Sequence, residues 1–337
     1  MATRKRPTAA RKTSKSPRVV AITGALCTIG RGLCARLAAD PSIERVVAID
    51  VRTPEELQPG IHFHRLDLSR PSAEQELADI LLVEEADTIV HLAYFGAPVP
   101  DAAYAHEVEV IGTLHTLTAA TAAQVRRIVV RSTSLIYGAH AKNPSLIREE
   151  DRIRGSAASR FVNDKVEAEQ QVREFAASHP DTQVTILRFA SILGPEVHNV
   201  FQRYLTGGLS PTLAGFDPLF QAIHQEDAVE ALFAAAKGGR GGVFNVSGRG
   251  VIPISTALEL VGTLPVPLPY GIAGGALRTL RRVGVGIALP AAMLDYLRYP
   301  FVMDASRFER ELGFTPRYTT LDAVRSLAPS KSADQQA

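Results

Sequence analysis

From Arg18 onwards, short runs of β-branched and apolar residues alternate with longer stretches in which apolar positions recur at helical spacing. The runs predict strands at Val19–Thr23 and at residues 46–50, 61–66, 88–92, 128–131 and 184–189. The longer stretches predict helices at residues 30–39, 73–82, 103–123 and 157–177. Strands that alternate with helices are typical of parallel βαβ units, and strands apolar throughout indicate a sheet covered on both faces. We therefore predict an α/β fold with a doubly wound parallel sheet.

The second part of the chain has a looser pattern. After Gly194 and Pro195, proline and glycine recur every few residues, and only a helix at 227–236 and a strand at 243–246 look like returns to the core. We predict a core over residues 18–188, and a smaller C-terminal lobe over 189–328 with segments that return to the core. Residues 1–17 and 329–337 are predicted to be disordered tails.

Composition excludes several classes of protein. Of the 337 residues, 46% are hydrophobic and 21% are charged, which is ordinary for a soluble globular chain. Cys27 and Cys34 are the only cysteines, so neither a disulfide framework nor a cysteine zinc site is possible. The nine histidines are scattered without metal-ligand spacing, and we predict no metal site. A reducing, cytoplasmic location fits this composition.

The net charge of +2 conceals a basic N-terminus. Residues 1–17 carry six basic side chains and no acidic one, and they contain no apolar run that could act as a secretory signal. A solvated tail is the interpretation we favour, and docking on anionic lipid or nucleic acid, or an organelle-targeting role, stays open. We predict no specific nucleic-acid partner and no transmembrane helix.

A glycine-containing turn after the first strand predicts a phosphate-binding site. Thr23 and Gly24 end that strand, and Gly30 stands where the next helix begins. Glycine lets the backbone approach a pyrophosphate, and the start of a helix offers free N–H groups and a positive dipole. Twenty residues after Gly30, Asp50 ends the second strand, where a carboxylate can accept both ribose hydroxyls of NAD. Arg52 lies close enough to Asp50 to keep NADP open.

In these motifs the chain resembles the extended short-chain dehydrogenase/reductase family, the NAD-dependent epimerase/dehydratase group. Its fingerprint is TGxxGxxG, which Thr23, Gly24 and Gly30 match, whereas Cys27 replaces the middle glycine. The resemblance extends to about residue 324. It implies a Rossmann core, NAD as cofactor, and these further cofactor-binding residues: Thr28, Ile29, Asp67, Leu68, Leu92 and Ala93.

The resemblance also implies a catalytic set, in which one member is changed. Thr133 occupies the position of the hydroxyl that orients the substrate oxygen, and Lys165 that of the lysine that holds the nicotinamide ribose. Four residues before Lys165, where the family has an acid–base tyrosine, stands Phe161. A phenyl ring has no proton to give, so a contribution of typically about 10²–10⁴ in rate must come from elsewhere.

Three interpretations of Phe161 stay open. A substitute such as Tyr94, Tyr137 or a water transfers the proton, and of these Tyr94 is the better placed. Alternatively the protein runs a slower or different reaction. In the third interpretation it binds the dinucleotide without turnover, as a regulator.

The lobe resembles that of sugar-nucleotide enzymes without their phosphate contacts. The resemblance implies a small-molecule, sugar-nucleotide-like substrate, but Ser191 and Phe220 stand where these enzymes usually place an Asn and an Arg. Arg188 and Arg203 are candidate replacements. The resemblance also implies a homodimer formed through the helices at 103–123 and 157–177.

An unusually apolar segment at residues 264–303 suggests an alternative substrate. A basic amphipathic helix near residues 272–283 could lie on an anionic membrane or admit a lipid or steroid-like alcohol. We favour a lid on the substrate pocket or a dimer contact for this segment.

Overall fold

The fold is known from a computed structural model that describes residues 19–56, 58–282 and 289–328. The predicted tails at 1–17 and 329–337 lie outside the described residues, as does the last residue of the helix predicted at 272–283.

Thirteen strands are formed by the described residues: β1 Val19–Thr23, β2 Arg45–Asp50, β3 Ile61–Arg65, β4 Thr88–His91, β5 Arg127–Thr133, β6 Gln183–Phe189, β7 Ser191–Leu193, β8 Leu209–Leu213, β9 Leu219–Phe220, β10 Ala222–His224, β11 Gly242–Val246, β12 Ile252–Pro253 and β13 Leu264–Leu268. The same residues form eleven α-helices: α1 Thr28–Ala38, α2 Ala73–Val83, α3 Ala102–His106, α4 Gly112–Ala122, α5 Arg160–Ser178, α6 Val200–Leu205, α7 Gln225–Lys237, α8 Ile254–Val261, α9 Tyr270–Arg282, α10 Ser306–Leu312 and α11 Thr320–Arg325. Short 3₁₀ helices cover Ser134–Tyr137 and Ala291–Leu297.

The central sheet is parallel and has seven strands in the order β11-β6-β5-β4-β1-β2-β3. The chain runs outward from β1 to β3 and then returns to β4, so the order reverses between β1 and β4. In such sheets the crevice at the carboxyl ends of the strands, beside the reversal, is where ligands bind. The predicted fold class is confirmed.

Apolar side chains cover both faces of this sheet. One core cluster lies between the sheet and helices α1 and α7, and another lies against α2, α4 and α5. A third cluster fills the C-terminal lobe, where three small two-stranded sheets pair β7 with β10, β8 with β13 and β9 with β12. Helix α7 packs on the core, and β11 adds the seventh strand to the central sheet.

The long helix predicted at residues 103–123 is interrupted. Its middle is a π-helical turn, Glu107–Ile111, between α3 and α4. The extra residue in a π turn shifts the side chains that follow, and such turns are frequent at functional sites.

The segment predicted to be amphipathic forms α9, which buries Ala273 and Leu277 and leaves Ile272 exposed. Beside it in sequence, β13 pairs with β8, and Leu209 and Leu264 on this ribbon are exposed. Among the described residues, no helix combines the length and the apolar character that a bilayer crossing requires.

A buried carboxylate joins β2 and β3 to α2. Glu84, at the end of α2, accepts hydrogen bonds from Arg45 on β2 and bonds to His62 and His64 on β3, with N–O distances of 3.1, 3.0 and 2.8 Å. The two histidines are two residues apart on a strand and so share one face.

We predict that Glu84→Gln lowers the free energy of unfolding by about 1–3 kcal/mol, because hydrogen bonds to a charged group are lost. Urea unfolding measures the change. The neighbouring Glu85 is exposed, so Glu85→Gln is the control and should stay within about 0.5 kcal/mol of the parent. Equal effects of the two substitutions would contradict the role given to Glu84.

Candidate cofactor and active site

The turn between β1 and α1 requires glycine at two positions. Gly24 has φ +68°, and a Cβ there would lie 2.9 Å from the Cα of Ala93. A Cβ on Gly30 would lie 2.6 Å from the carbonyl oxygen of Ala25. Both distances are below normal contact, so the close approach of the backbone segments depends on the missing side chains. Leu92 and Ala93, predicted to contact cofactor, form the opposite wall of this turn.

The residue that departs from the glycine fingerprint caps the helix. Cys27 is the N-cap of α1, and its Sγ accepts a hydrogen bond from the backbone N–H of Gly30 at 3.2 Å. Sulfur is a weak acceptor, so an anion can compete for this N–H group. Thr28 and Ile29 begin the helix, and the Thr28 hydroxyl donates to the carbonyl oxygen of Glu196. The N-terminus of α1 also lines the cleft described below, so its backbone N–H groups are placed where an anion can bind.

Asp50 is held beside the same turn. Its Oδ2 accepts from the N–H of Leu26 at 2.9 Å, and its Oδ1 accepts from the N–H of Arg52 at 3.1 Å. Each carboxylate oxygen has a second lone pair, so Asp50 can still accept ribose hydroxyls. The Arg52 guanidinium lies 3.7 Å from Asp50 and donates to the Leu26 carbonyl oxygen.

The remaining predicted adenosine contacts follow β3. Asp67 accepts hydrogen bonds from the backbone and hydroxyl of Ser69, and Leu68 is buried next to it. Sequence reasoning missed Tyr104 on α3. Burial raises the pKa of Tyr104, and the nearby carboxylates of Asp67 and Asp50 raise it further.

The predicted catalytic residues meet in one cleft of about 390 Å³. Its lining includes Cys27, Thr28 and Ile29 from the turn, and Tyr94, Thr133, Phe161 and Lys165 from the neighbouring elements. Residues that sequence reasoning missed also line it: Arg131, Ser132, Glu169 and Asn199. The cleft lies at the carboxyl ends of β1, β4 and β5, where the strand order reverses.

Lys165 is buried in this cleft and is charge-paired. Its Nζ lies 2.6 Å from Oε1 of Glu109, which is on the π-helical turn, and 4.2 Å from the centre of the Phe161 ring. Burial lowers the pKa of Lys165, and the Glu109 carboxylate opposes that effect. The Phe161 ring thus contacts the Lys165 ammonium group, but it has no hydroxyl that could exchange a proton with it.

Tyr94 lines the cleft, but its hydroxyl is hydrogen-bonded to a residue of α4. The phenol bonds to Thr113 Oγ1 at 3.1 Å, and the same threonine oxygen bonds to His91 Nε2. Burial raises the pKa of Tyr94 well above its usual range, so the phenol keeps its proton. The role of Tyr94 as a substitute acid stays a prediction.

Tyr137 is directed away from the cleft. Its hydroxyl donates to Asn245 and accepts from Arg188, and the side chain is fully buried. Arg188 in turn makes a buried ion pair with Glu169, which also accepts from Ser132. Both groups are occupied within the protein: Tyr137 is not placed to act on a substrate, and Arg188 is not free to hold a phosphate.

The lobe side of the cleft combines apolar and polar side chains. Ser191 lines it, whereas Phe220 is buried and packs against Phe201, whose ring also stacks on Phe301 at 5.5 Å. Arg203 is exposed on α6 and does not line the cleft.

One acidic cluster brings possible metal ligands together in the described part of the chain. Ligand atoms of His106, Asp164 and Glu167 lie within 4.8 Å of one another. His106 and Arg160 pair with Asp164, at 3.0 and 3.8 Å, so this carboxylate already has two partners within the protein. The absence of a metal site stays a prediction.

Comparison with known proteins agrees with this geometry. The family model of the NAD dependent epimerase/dehydratase family matches residues 20–247. The chain belongs to this family. The resemblance seen in the sequence is thereby confirmed, as is NAD as the family's cofactor. The glycine turn, the helix N-terminus and the Asp50 carboxylate of this chain fit such a dinucleotide.

Family relatives cover most of the chain. A protein of Mycobacterium tuberculosis, itself described as uncharacterized, is 36% identical over 314 residues, which are 91% of this chain and 82% of the relative. The structure of UDP-glucose 4-epimerase from Thermotoga maritima with UDP-glucose has a TM-score of 0.70 at 19% identity, covering 92% and 97% of the two chains. MoeE5 in complex with UDP-glucuronic acid and NAD has a TM-score of 0.69 at 25% identity, covering 91% and 96%.

We predict that His91 makes stability fall with acid. Burial lowers the pKa of His91 to about 3, while the unfolded value is 6.5. The unfolded chain therefore binds more protons between these values, and stability is lost as the pH falls below 6.5, by up to about 1.4 kcal/mol per pH unit. Urea unfolding at pH 7, 6 and 5 measures this slope.

The variant His91→Gln should reduce that slope, whereas His140→Gln, at an exposed position, should keep it. An unchanged slope in His91→Gln would show that other groups cause the acid dependence.

Proposed function

We propose that this protein is an NAD(H)-dependent oxidoreductase or epimerase that acts on a hydroxyl-bearing small molecule, with an altered proton-transfer site. The observation that carries the proposal is that Thr133 and Lys165 line the same cleft as the glycine turn. A hydroxyl and a cation beside a dinucleotide site are the groups that hydride chemistry on an alcohol or ketone requires.

The cofactor is assigned to the described elements as follows. Gly24, Gly30 and the N-terminus of α1 hold the pyrophosphate, and Asp50 accepts the adenosine ribose hydroxyls. Lys165 holds the nicotinamide ribose, and Thr133 orients the substrate oxygen. The bound dinucleotide supplies the hydride acceptor or donor.

For the substrate we propose a sugar-nucleotide-like molecule first, because several family structures contain UDP-sugars. A second candidate is an apolar alcohol, lipid or steroid-like. It is favoured by Phe201, an apolar side chain that lines the cleft and packs on the buried rings of Phe220 and Phe301. We also propose a cytoplasmic homodimer formed through α3, α4 and α5. Peripheral contact with an anionic membrane is proposed only together with the apolar-alcohol substrate.

Cofactor binding is tested by calorimetry. We expect Asp50→Ala to weaken NAD binding about 10- to 100-fold, because hydrogen bonds to a charged acceptor are removed. The control Asp181→Ala changes an exposed carboxylate and should leave the dissociation constant unchanged. No binding of either nicotinamide dinucleotide by the parent, or equal affinity of parent and Asp50→Ala, would refute the assignment.

Catalysis is tested with UDP-sugars and with apolar alcohols, following nicotinamide absorbance. We expect Phe161→Tyr to increase the turnover rate at least tenfold, because a phenol beside Lys165 Nζ adds a proton donor. Turnover of UDP-sugars supports the first candidate, and turnover of apolar alcohols alone supports the second. Tight NAD binding without hydride transfer in the parent, and activity only in Phe161→Tyr, would instead identify a regulator.

A further inference from the structure

The carboxylate of Glu109 lies directly behind Lys165 and is almost completely buried, with 1% of the residue exposed. Its Oε1 accepts from Lys165 Nζ at 2.6 Å and from the N–H of Phe95 at 2.7 Å. Its Oε2 is buried without a hydrogen-bond partner among the described residues. A buried carboxylate oxygen without a donor is destabilising, and a proton or a water would relieve this.

The π-helical turn produces this arrangement. Glu109 is the third residue of Glu107–Ile111, and this turn packs against α5, which carries Lys165. The backbone carbonyl of Glu109 accepts from the Thr113 hydroxyl one turn later, which fixes the turn from the α4 side. Hydrogen bonds to the backbone carbonyl of Glu109 and to its Oε1 therefore hold the carboxylate in place.

Lys165 connects Glu109 to the cleft. Lys165 lines the cleft, whereas Glu109 is not part of the lining. Nζ also contacts the Phe161 ring, which can neither donate nor accept a proton. Glu109 is thus the ionisable group in direct contact with Lys165 in the described structure, and it lies behind Lys165, outside the lining of the cleft.

We propose that Lys165 and Glu109 together form the acid–base pair of the reaction, with Lys165 Nζ exchanging the proton with the substrate oxygen and Glu109 storing it. The proposal rests on the proposed function above. It makes Lys165 a catalytic residue and Glu109 a positioning and proton-storing residue that acts through it. An acid–base group must lie within hydrogen-bond reach of the substrate oxygen or one water away, and Lys165 is the member of the pair that lines the cleft.

The proton and electron balance is as follows. In alcohol oxidation the substrate C–H bond breaks and its hydride goes to the nicotinamide, a two-electron acceptor. The substrate O–H bond breaks as well, and its proton goes to Lys165 after the lysine has passed a proton to Glu109. The pair begins as ammonium and carboxylate and ends as ammonium and carboxylic acid. In the reducing direction the same proton returns to the new hydroxyl.

The charged and titratable surroundings limit when the pair can accept a proton. Arg131 on β5 acts on Lys165 as a like charge, and Asp164 on α5 acts as an opposite one. Glu169 on α5 is neutralised by Arg188, and Tyr94, after β4, keeps its proton because burial raises its pKa. Oxidation starts from the pair in which Glu109 is a carboxylate and can take up the proton, so we expect its rate to rise with pH and that of reduction to fall.

The kinetic test uses the full chain and three variants. Glu109→Gln should lower kcat by about 10²–10⁴ and leave the NAD dissociation constant within about threefold. Glu107→Gln, an exposed position on the same π-helical turn, is the control and should keep kcat. The double variant Glu109→Gln with Phe161→Tyr should have a kcat at least tenfold higher than Glu109→Gln alone, because the new phenol replaces the missing proton source. Glu109→Gln should also lose the pH dependence of oxidation.

A second measurement needs no cofactor or substrate. Acylation of Lys165 by a small reagent, followed by mass spectrometry over a range of pH, gives the midpoint at which the amine becomes nucleophilic. We expect Glu109→Gln to lower this midpoint by about one pH unit or more, since an opposite charge that favours the ammonium is lost, and Glu107→Gln to leave it in place.

The outcomes separate the two proposals. Unchanged kcat in Glu109→Gln, no rescue by Phe161→Tyr, or an unchanged acylation midpoint would overturn the role of Glu109 and leave the proposed function standing. Absence of hydride transfer from the parent protein with every substrate, despite the expected acylation shift, would overturn the proposed function and the acid–base role with it. Loss of NAD binding in Glu109→Gln would assign Glu109 a purely structural role.

Discussion

The close backbone contact between the ends of β1 and β4 is the constraint on which the rest of the site depends. Gly24 turns there with a positive φ, and the atoms of Ala93 occupy the space that any side chain would need. Because the strand order reverses at this contact, a crevice opens at the carboxyl ends of the strands. Parallel pairing then brings Asp50, Thr133 and the N-terminus of α1 to the same edge of the sheet. A larger residue at position 24 would separate the elements that form the crevice.

The parts of this structure that follow local rules could be predicted from the sequence. The periods of apolar residues indicated the core strands and helices to within a few residues, and the glycine turn and Asp50 followed from the order of strand, turn, helix and strand. The position of Phe161 beside Lys165 followed from their spacing of four residues on one helix.

The charged interior of the site could not be predicted in this way. Residues 107–111 read as ordinary helix with acidic side chains, and acidic side chains on a helix usually face solvent. Burial of Glu109 arises because the π-helical turn packs on α5, an arrangement set by tertiary contacts. Tyr137 and Arg188 likewise were candidates for chemistry by motif, yet packing joins them to Asn245 and Glu169. Buried ions need partners, and the partners come from distant parts of the chain.

The ribbon of β8 and β13 shows how the lobe carries exposed apolar residues without an open strand edge. The backbone N–H of Leu264 donates to the carbonyl oxygen of Gly208 on the β8 side. Along β13 the backbone N–H groups at the alternate positions 266 and 268 therefore face β8, and the backbone at positions 265 and 267 faces outward. Both outward positions are proline, which has no N–H to offer. A strand from another molecule would find no N–H donors along β13, so this edge resists intermolecular pairing even though Leu264 and Val266 are open to solvent.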